Sequence, residues 1–397
     1  MIFIKKSRKL TRTSNCTRAA KPGGYYSCSN SILQIRVQSG SIFDCTLWFG
    51  RTYFPNELQF IFERWFMTDI SEKMIIVSGI QPSGNLHLGN YFGAVQQFLQ
   101  FIAGGHECYY FLANYHALTS LRNRDRLLEL TRSTAADYLA LGLDPACCSI
   151  YRQSDLPEVC ELQWILTTVT PMGLLERCHA YKDKIQQGIS ADHGLFAYPV
   201  LQAADILIVR ANRVPVGQDQ RQHIEVTRDI AEYFNNSYGK LLTLPEPYIP
   251  ENVATVPGRD GRKMSKSYNN TIELFAEEKE VRQQIFSIVT DSASVAEPKD
   301  PEKSILYAIL KLFCDPESLA QWADRFRSGG LGYGEVKKAV FELFMERFGP
   351  ARERRKQLEN QPEYLDEVLN KGVRGARKVA IPLVREVREA VGIPNYE

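Results

Sequence analysis

No Cys-x-x-Cys occurs anywhere in the chain, and its nine cysteines stand singly apart from the Cys147-Cys148 pair. Neither a zinc knuckle nor an iron–sulfur loop is supported, and an odd count argues against a disulfide framework. Reduced thiols in a cytosol-like compartment are the simplest account. Metal spacing is missing among the histidines too: His106, His179 and His193 read as structural or exposed, and no metal site is predicted. No apolar run approaches the ~18 residues that a bilayer span requires, which excludes an integral helical membrane protein. A global positive field is also lacking, since the net charge is only +2.

That small charge hides an asymmetry. Residues 1–73 carry 11 Lys and Arg against 5 Asp and Glu, leaving 37 against 41 in the remainder. The mildly acidic body must therefore meet any nucleic acid through local patches. No acidic residue precedes Asp44, and the basic, Ser/Thr/Gly-rich start resembles an organellar transit peptide. The competing reading is an upstream in-frame extension with the working start at Met67 or Met74, because residues 42–66 are rich in Phe and Trp without a period of 2 or 3.6. On either reading residues 1–73 are an N-terminal extension, disordered or a non-native leader. Location is expected to be cytoplasmic, or mitochondrial if the extension is a real transit peptide.

From Met74 the pattern sharpens. Met74–Ile80 is a β-branched run that suits a buried parallel strand. Gln81-Pro82-Ser83-Gly84-Asn85 is turn chemistry, and Leu86–Val95 opens a helix running to about Ala103. A strand, a Gly/Pro turn and a helix beginning with His87, Gly89 and Asn90 form an anion-binding arrangement. Free backbone N–H groups and the positive end of the helix dipole face the crevice above the strand. Gly89 lets a planar ring approach the backbone, while His87 and Asn90, three apart, share one helix face. Cys108–Leu118 reads as a second buried strand and Arg124–Leu141 as a helix ended by Gly142. Cys148–Arg152 reads as a third strand, with a helix from about Leu156. This alternation predicts an α/β fold, a Rossmann-like doubly wound parallel sheet with its ligand at the carboxyl ends of the strands. Pro171–Lys184 is predicted helical, running into a basic loop that ends at Gly188. Ala197–Val209 reads as a helix interrupted near Pro199, Arg213–Gly217 as a strand, and Asp219–Tyr233 as a helix.

The stretch Gly261-Arg262-Lys263-Met264-Ser265-Lys266-Ser267 puts two lysines and two hydroxyls on a glycine-led loop. Burying two unpartnered ammonium groups costs several kcal/mol each, so the stretch is not core. Alone it would be a solvated basic turn; beside a phosphate-binding helix start it is a flap over a polyanion. Residues 74–272 are therefore expected to form the catalytic domain. After them, 273–397 hold no convincing strand and much helical Leu, Ala, Glu, Lys and Arg, which predicts an all-helical C-terminal domain. Turn punctuation falls at Gly329-Gly330, Gly334, Gly349-Pro350 and Pro362. Charge concentrates in Arg352–Lys356 and Lys371–Arg388, as a solvated helix face or a nucleic-acid contact.

Together the motifs resemble class I aminoacyl-tRNA synthetases. His87-Leu88-Gly89-Asn90 looks like that class's first signature with Asn in its last position, and Lys263–Ser267 is its second without a mismatch. Ser78–Gly84, Ala203-Ala204-Asp205-Ile206-Leu207 and Val214–His223 narrow the resemblance to the tryptophanyl-tRNA synthetases over about Met74–Gly392. It implies ATP with Mg²⁺, L-tryptophan and tRNA(Trp) as substrates and partners, and a homodimer with 156–180 as a plausible contact surface. The chain would act as a tryptophan–tRNA ligase, with the helical domain holding the anticodon.

Residue by residue, the resemblance places His87 and Asn90 on the ATP phosphates, with Lys263, Lys266 and the loop residue Lys184 closing over the leaving group. Gln81, Gly89, Met264 and Ser265 join the ATP site, and Gly217 and Asp219 the ribose. Asp205 would accept the indole N–H at the base of an apolar pocket, the only hydrogen-bonding group of that side chain. Without the resemblance, Asp205 would read as a helix cap or a solvated carboxylate. Tyr198, Gln220 and Gln81 match residues that hold the α-amino and carboxylate groups. Gln202, Gln218 and Ala180 depart from the commonest family pattern, and no chemistry is assigned to His116 or His223. The rivals are a tyrosyl-tRNA synthetase, a non-catalytic RNA- or partner-binding paralogue and, more remotely, another nucleotidyltransferase.

Overall fold

The first buried run, Ile75–Ile80 (β1), lies at the centre of a five-stranded sheet in the computed structural model. The order is β3-β2-β1-β4-β5, with β2 at Glu107–Leu112, β3 at Ser149–Arg152, β4 at Arg213–Pro215 and β5 at Glu246–Tyr248. Every pairing is parallel, with Ile75 opposite Glu107, Tyr109 opposite Ser149 and Ile76 opposite Arg213. This is the predicted Rossmann-like sheet. The structure describes residues 73–395 apart from 83, 179–191, 218–219 and 250–255, all within one unit, Ser71–Glu397. The readings made for residues 1–72, and those for His179, Ala180, Lys184, Gln218 and Asp219, lie outside the described residues.

Alternate strand residues point to opposite faces, and both faces are covered at the centre of the sheet, so β1, β2 and β3 each send apolar residues to both sides. Ile76, Cys108, Tyr110, Leu112 and Ile150 enter one core; Val77, Tyr109, Phe111 and Tyr151 enter the other. The first core is closed by helix α1 and by α2 (Arg124–Ala140). Helix α1 comprises an α turn, Leu88–Asn90, a π-helical stretch, Tyr91–Val95, and an α segment, Gln96–Ala103. The second core is closed by α3 (Glu158–Val169), α4 (His193–Leu207) and α5 (Arg221–Tyr238).

Beyond the lysine stretch come α6 (Glu278–Phe286), α7 (Ile305–Leu310), α8 (Pro316–Ser328), α9 (Tyr333–Glu359) and α10 (Pro362–Val391). No strand follows Tyr248 among the described residues. These helices share the cores of the sheet: α9 packs on the first, and α10 passes from the first at Leu365 to the second at Val373. In crossing, α10 covers the sheet edge at β3. Its glycines permit that approach, since a Cβ on Gly372 would stand 1.9 Å from the Ile150 carbonyl oxygen. Covering an edge strand also removes a template for unwanted strand pairing.

Four local readings are corrected. The second strand ends at Leu112, and Asn114–Ala117 is a short helix. An apolar run does not by itself distinguish strand from buried helix, and side-chain bonds from Gln153 and Ser154 decide it here. Pro199 sits inside a continuous α4, its lost backbone bond offset by burial of Leu195, Pro199 and Val200. Likewise Gly349-Pro350 lies within continuous α9, and Gly334 in its first turn, so neither is a turn. The three-residue β5 carries no sequence signal of its own, and its Pro247 is tolerated on an edge strand.

Gly372→Ala should destabilise the fold by about 2 kcal/mol or more, because the added methyl must push α10 off β3. Thermal unfolding checks this; an unchanged midpoint would mean that α10 is not seated against the strand.

Candidate active site

The site grows from the carboxyl end of β1, beside the reversal of strand order between β1 and β4, where open α/β sheets bind ligands. After the Gly84 turn the chain enters α1 at His87. The Asn90 Oδ1 accepts from the His87 backbone N–H at 3.1 Å, which satisfies one of the orphan donors at the helix start. The His87 ring lies against the glycine behind it: a Cβ on Gly89 would stand 3.0 Å from ring atoms Cε1 and Nδ1. His87 is buried, and among the described residues its Nδ1 has no hydrogen-bond partner. Burial first, and the charge of Lys266 second, lower its pKa from 6.5 to about 4. At neutral pH the ring is uncharged, a hydrogen-bonding group and not a cation. Widening of α1 into a π-helical stretch directly after Asn90 matches the usual placement of such bulges at functional sites.

The lysine stretch folds as a tight loop whose two sides pair at Pro257 and Lys263. Asn270 clamps it from inside: its Oδ1 accepts from Ser265 N–H at 2.8 Å, and its Nδ2 donates to Asp260 Oδ1 and the Lys263 carbonyl at 2.7 and 3.2 Å. Met264 is the anchor, buried in the first core, while Lys263 and Lys266 stay at the surface. The Ser265 hydroxyl accepts from Ser267 N–H and caps a single 3₁₀ turn, Lys266–Tyr268.

These two pieces converge. Leu88 N–H donates to Ile272 O at 3.0 Å and Leu274 N–H to Leu86 O at 2.9 Å, so the start of α1 and the exit of the lysine loop form a short antiparallel ladder. Lys266 reaches back over the turn, its Nζ 3.7 Å from where a Cβ on Gly84 would lie. Desolvation lowers the Lys266 pKa, opposed by Glu273 and Asp137. An ammonium, a helix N-terminus and a neutral imidazole thus face one crevice, which suits a polyphosphate.

The family model described as tRNA synthetases class I (W and Y) matches residues 69–349. The tryptophan–tRNA ligase of Fusobacterium nucleatum is 50% identical over 80% of this chain and 97% of its own length; that of Rhodopirellula baltica is 49% identical over 81% and 100%. This chain belongs to the class I tryptophanyl-tRNA synthetases. A crystal structure of the Campylobacter jejuni tryptophanyl-tRNA synthetase complexed with ADP and tryptophan superposes with a TM-score of 0.77 at 47% identity, covering 81% of this chain and 100% of that one. An Archaeoglobus fulgidus tyrosyl-tRNA synthetase, at 22% identity and a TM-score of 0.55, shares the fold alone.

A second cluster lies on α4 and on the segments that follow β2 and β3. Asp205, on α4, is buried, and both its oxygens accept from Gln153 Nε2 at 2.9 and 2.8 Å; His116 Nε2 lies 2.9 Å from Oδ2. Burial raises the Asp205 pKa, and His116 and then Gln153 oppose it. Gln153 is itself held, its Oε1 accepting from Tyr115 and His116 N–H. Alongside, the His116 and Tyr198 rings meet edge to face at 6.3 Å, and Tyr198, His223 and Gln220 form a chain of hydrogen bonds of 3.0 and 2.6 Å. Of the predicted residues, Gln81 is exposed at the end of β1, donating to Ser120 Oγ, and Gly217 is exposed after β4. Sequence reasoning missed Gln153 and gave His116 and His223 no part. Only their position after β3, within the matched phrase and in the short helix after β2 could have hinted at them. A cavity of about 780 Å³ at the amino ends of β2 and β3 contains none of these residues.

The buried His87 carries a pH dependence. Between about pH 6.5 and pH 4 the unfolded chain takes up a proton that folded His87 refuses, so stability is intact above that window and falls on acidification through it. In thermal unfolding at stepped pH, wild type should lose up to about 3 kcal/mol more than His87→Asn between pH 7 and pH 4. Equal acid losses would contradict the buried neutral ring.

Proposed function

We propose that this chain activates L-tryptophan with ATP to tryptophanyl-adenylate and pyrophosphate, then transfers the acyl group to the 3′-terminal adenosine of tRNA(Trp). The observation that carries this reading is Lys266 standing over the Gly84 turn beside His87. The first step is in-line attack of the amino-acid carboxylate on the α-phosphorus of ATP. It needs no covalent nucleophile, only alignment and neutralisation of charge on phosphate oxygens. His87 would donate to a phosphate oxygen from its neutral ring, and Asn90 keeps the helix start in place by holding the His87 N–H. Gly89 lets the His87 ring lie close against the helix start, and the backbone around Met264 and Ser265 supports the lysines. Lys263 and Lys266, with Lys184, would stabilise the leaving pyrophosphate. Gly217 and Asp219 would receive the ribose.

Mg²⁺ would arrive with ATP, because it is held largely by substrate phosphates and its own waters. Among the described residues no group of three or more His, Cys, Asp or Glu side chains could hold a metal ion. The described residues thus offer it no protein cage, and no step here is routed through it.

Asp205 would accept the indole N–H. A carboxylate has about four lone-pair sites, so the bonds from Gln153 and His116 leave capacity for one more donor. A substrate lacking that donor would leave a buried acceptor less satisfied, which gives discrimination. Tyr198, Gln220 and Gln81 would hold the α-amino and carboxylate groups. The helices after residue 273 would bind the anticodon of tRNA(Trp). The cytoplasm is the proposed location, on the bacterial relatives. Among the described residues no helix is long and apolar enough to cross a membrane.

Tryptophan-dependent ATP–pyrophosphate exchange tests the reading: tryptophan and not tyrosine should drive it, and the reverse would sink it. Replacing Lys263 and Lys266 together by Ala should lower the exchange rate by roughly 10²- to 10⁴-fold with folding unchanged, as expected when transition-state charge stabilisation is removed.

We further propose a homodimer through the α3 region, where Trp164 is 67% exposed and Met172 63% exposed. Large apolar anchors are typical of interface centres. Trp164→Glu should shift the sedimentation coefficient to that of a monomer; an unchanged value in the variant would exclude this face.

A further inference from the structure

Arg352 and Arg355 belong to the charge run that the sequence allowed as a nucleic-acid contact. Both are buried, at 7% and 9% exposure, so neither is available to RNA. Their guanidinium groups point into the protein. Arg352 donates to the Leu274 and Ala276 carbonyls, both at 2.6 Å, and Arg355 bonds Asp137 and the Ser133 hydroxyl on α2. No carboxylate lies within ion-pair distance of Arg352 among the described residues, so its direct partners are carbonyl oxygens, with Glu277, Glu278 and Glu353 acting on its charge from farther away. That is a costly arrangement for mere packing.

What those carbonyls belong to decides the matter. Leu274 is the residue whose N–H donates to Leu86 O, in the ladder that joins the start of α1 to the exit of the lysine loop. One turn earlier on α9, Phe348 packs edge to face on Tyr91 at 4.9 Å, and Arg347 donates to the Tyr91 hydroxyl at 3.3 Å. Tyr91 opens the π-helical stretch directly after Asn90. Positions 348, 352 and 355 recur at helical spacing, so one face of α9 touches α1, the exit of the lysine loop and α2 in sequence. Asp137, on α2, is close enough to Lys266 for each charge to act on the other, which closes the circuit.

We propose that Arg352 is a positioning residue for adenylate formation: by gripping the Leu274 and Ala276 carbonyls it holds the ladder that keeps His87 and Lys266 in register over the phosphates. This rests on the function proposed above, and it assigns Arg352 no contact with substrate. Losing a charge-assisted hydrogen-bond pair lets the lysine loop move relative to α1, which loosens the ATP site and leaves the Asp205 cluster, built from other elements, as it was.

The test compares Arg352→Gln and Arg352→Lys with wild type, with exposed Arg354→Gln as a control on the same helix. Arg352→Gln should weaken ATP binding, measured by calorimetry without amino acid, and lower kcat/KM for ATP in exchange by roughly 10- to 100-fold, the range of a lost charge-assisted bond. Tryptophan affinity should stay within twofold, Arg352→Lys should recover part of the loss, and Arg354→Gln should match wild type. Folded variants with wild-type ATP binding and kinetics would overturn the proposal. So would equal losses for ATP and tryptophan, which mark a general loss of structure. If Arg352→Gln does not fold, Arg352→Lys decides alone by the same split. Failure of wild type to exchange with tryptophan would defeat the function reading only, because the ATP titration still reads the role of Arg352.

Discussion

Two backbone hydrogen bonds, Leu88 to Ile272 and Leu274 to Leu86, join segments nearly two hundred residues apart in the chain. Everything chemical in the site depends on that ladder. The helix start alone is a weak anion site, and the lysine loop alone is a surface turn. Once the ladder fixes their spacing, a positive helix end, a neutral imidazole and an ammonium come together, and under the proposed function their fields would add on the phosphate oxygens of ATP. The ladder is short, so its geometry is maintained from outside: by Asn270 within the loop, by Asn85 on Glu273, and by Arg352 on the carbonyls beyond.

The amino-acid side of the crevice follows a different rule. Burial raises the Asp205 pKa, and His116 and Gln153, both within hydrogen-bond distance of its oxygens, oppose that rise. Gln153 is oriented in turn by two backbone N–H groups of the short helix after β2. The Asp205 carboxyl is therefore fixed in place by the fold itself, and under the proposed function it would be aimed before substrate arrives. The lysine-loop cluster is assembled from loops and the Asp205 cluster largely from helices, which under the proposed function would match a charge-neutralising task on one and a discriminating task on the other.

Helices beyond the lysine loop act as struts for both. Continuous α9 carries Arg352 and Arg355 inward, and α10 lies over the edge strand, tied down by ion pairs of Arg152 with Asp366 and of Arg210 with Glu386. Their charge runs look alike in one dimension, yet Arg352 and Arg355 are buried while Arg354 and Lys356 face solvent. Helical rotation, not composition, separates the supports from the surface.

The sequence by itself determined the class of sheet, the first strand and helix start, the lysine loop and the residue phrases that carry the family likeness. These are local patterns, in which periodicity, turn residues and short motifs contain their own physical reason. It did not determine where the apolar run after Cys108 leaves the sheet, that α9 continues through Gly349-Pro350, or that β5 exists. Nor did it show that Gln153 orients Asp205 or that Arg352 grips the loop exit. Each of those rests on contacts between residues distant in the chain, and only the tertiary structure decides which donor meets which acceptor once the core has closed.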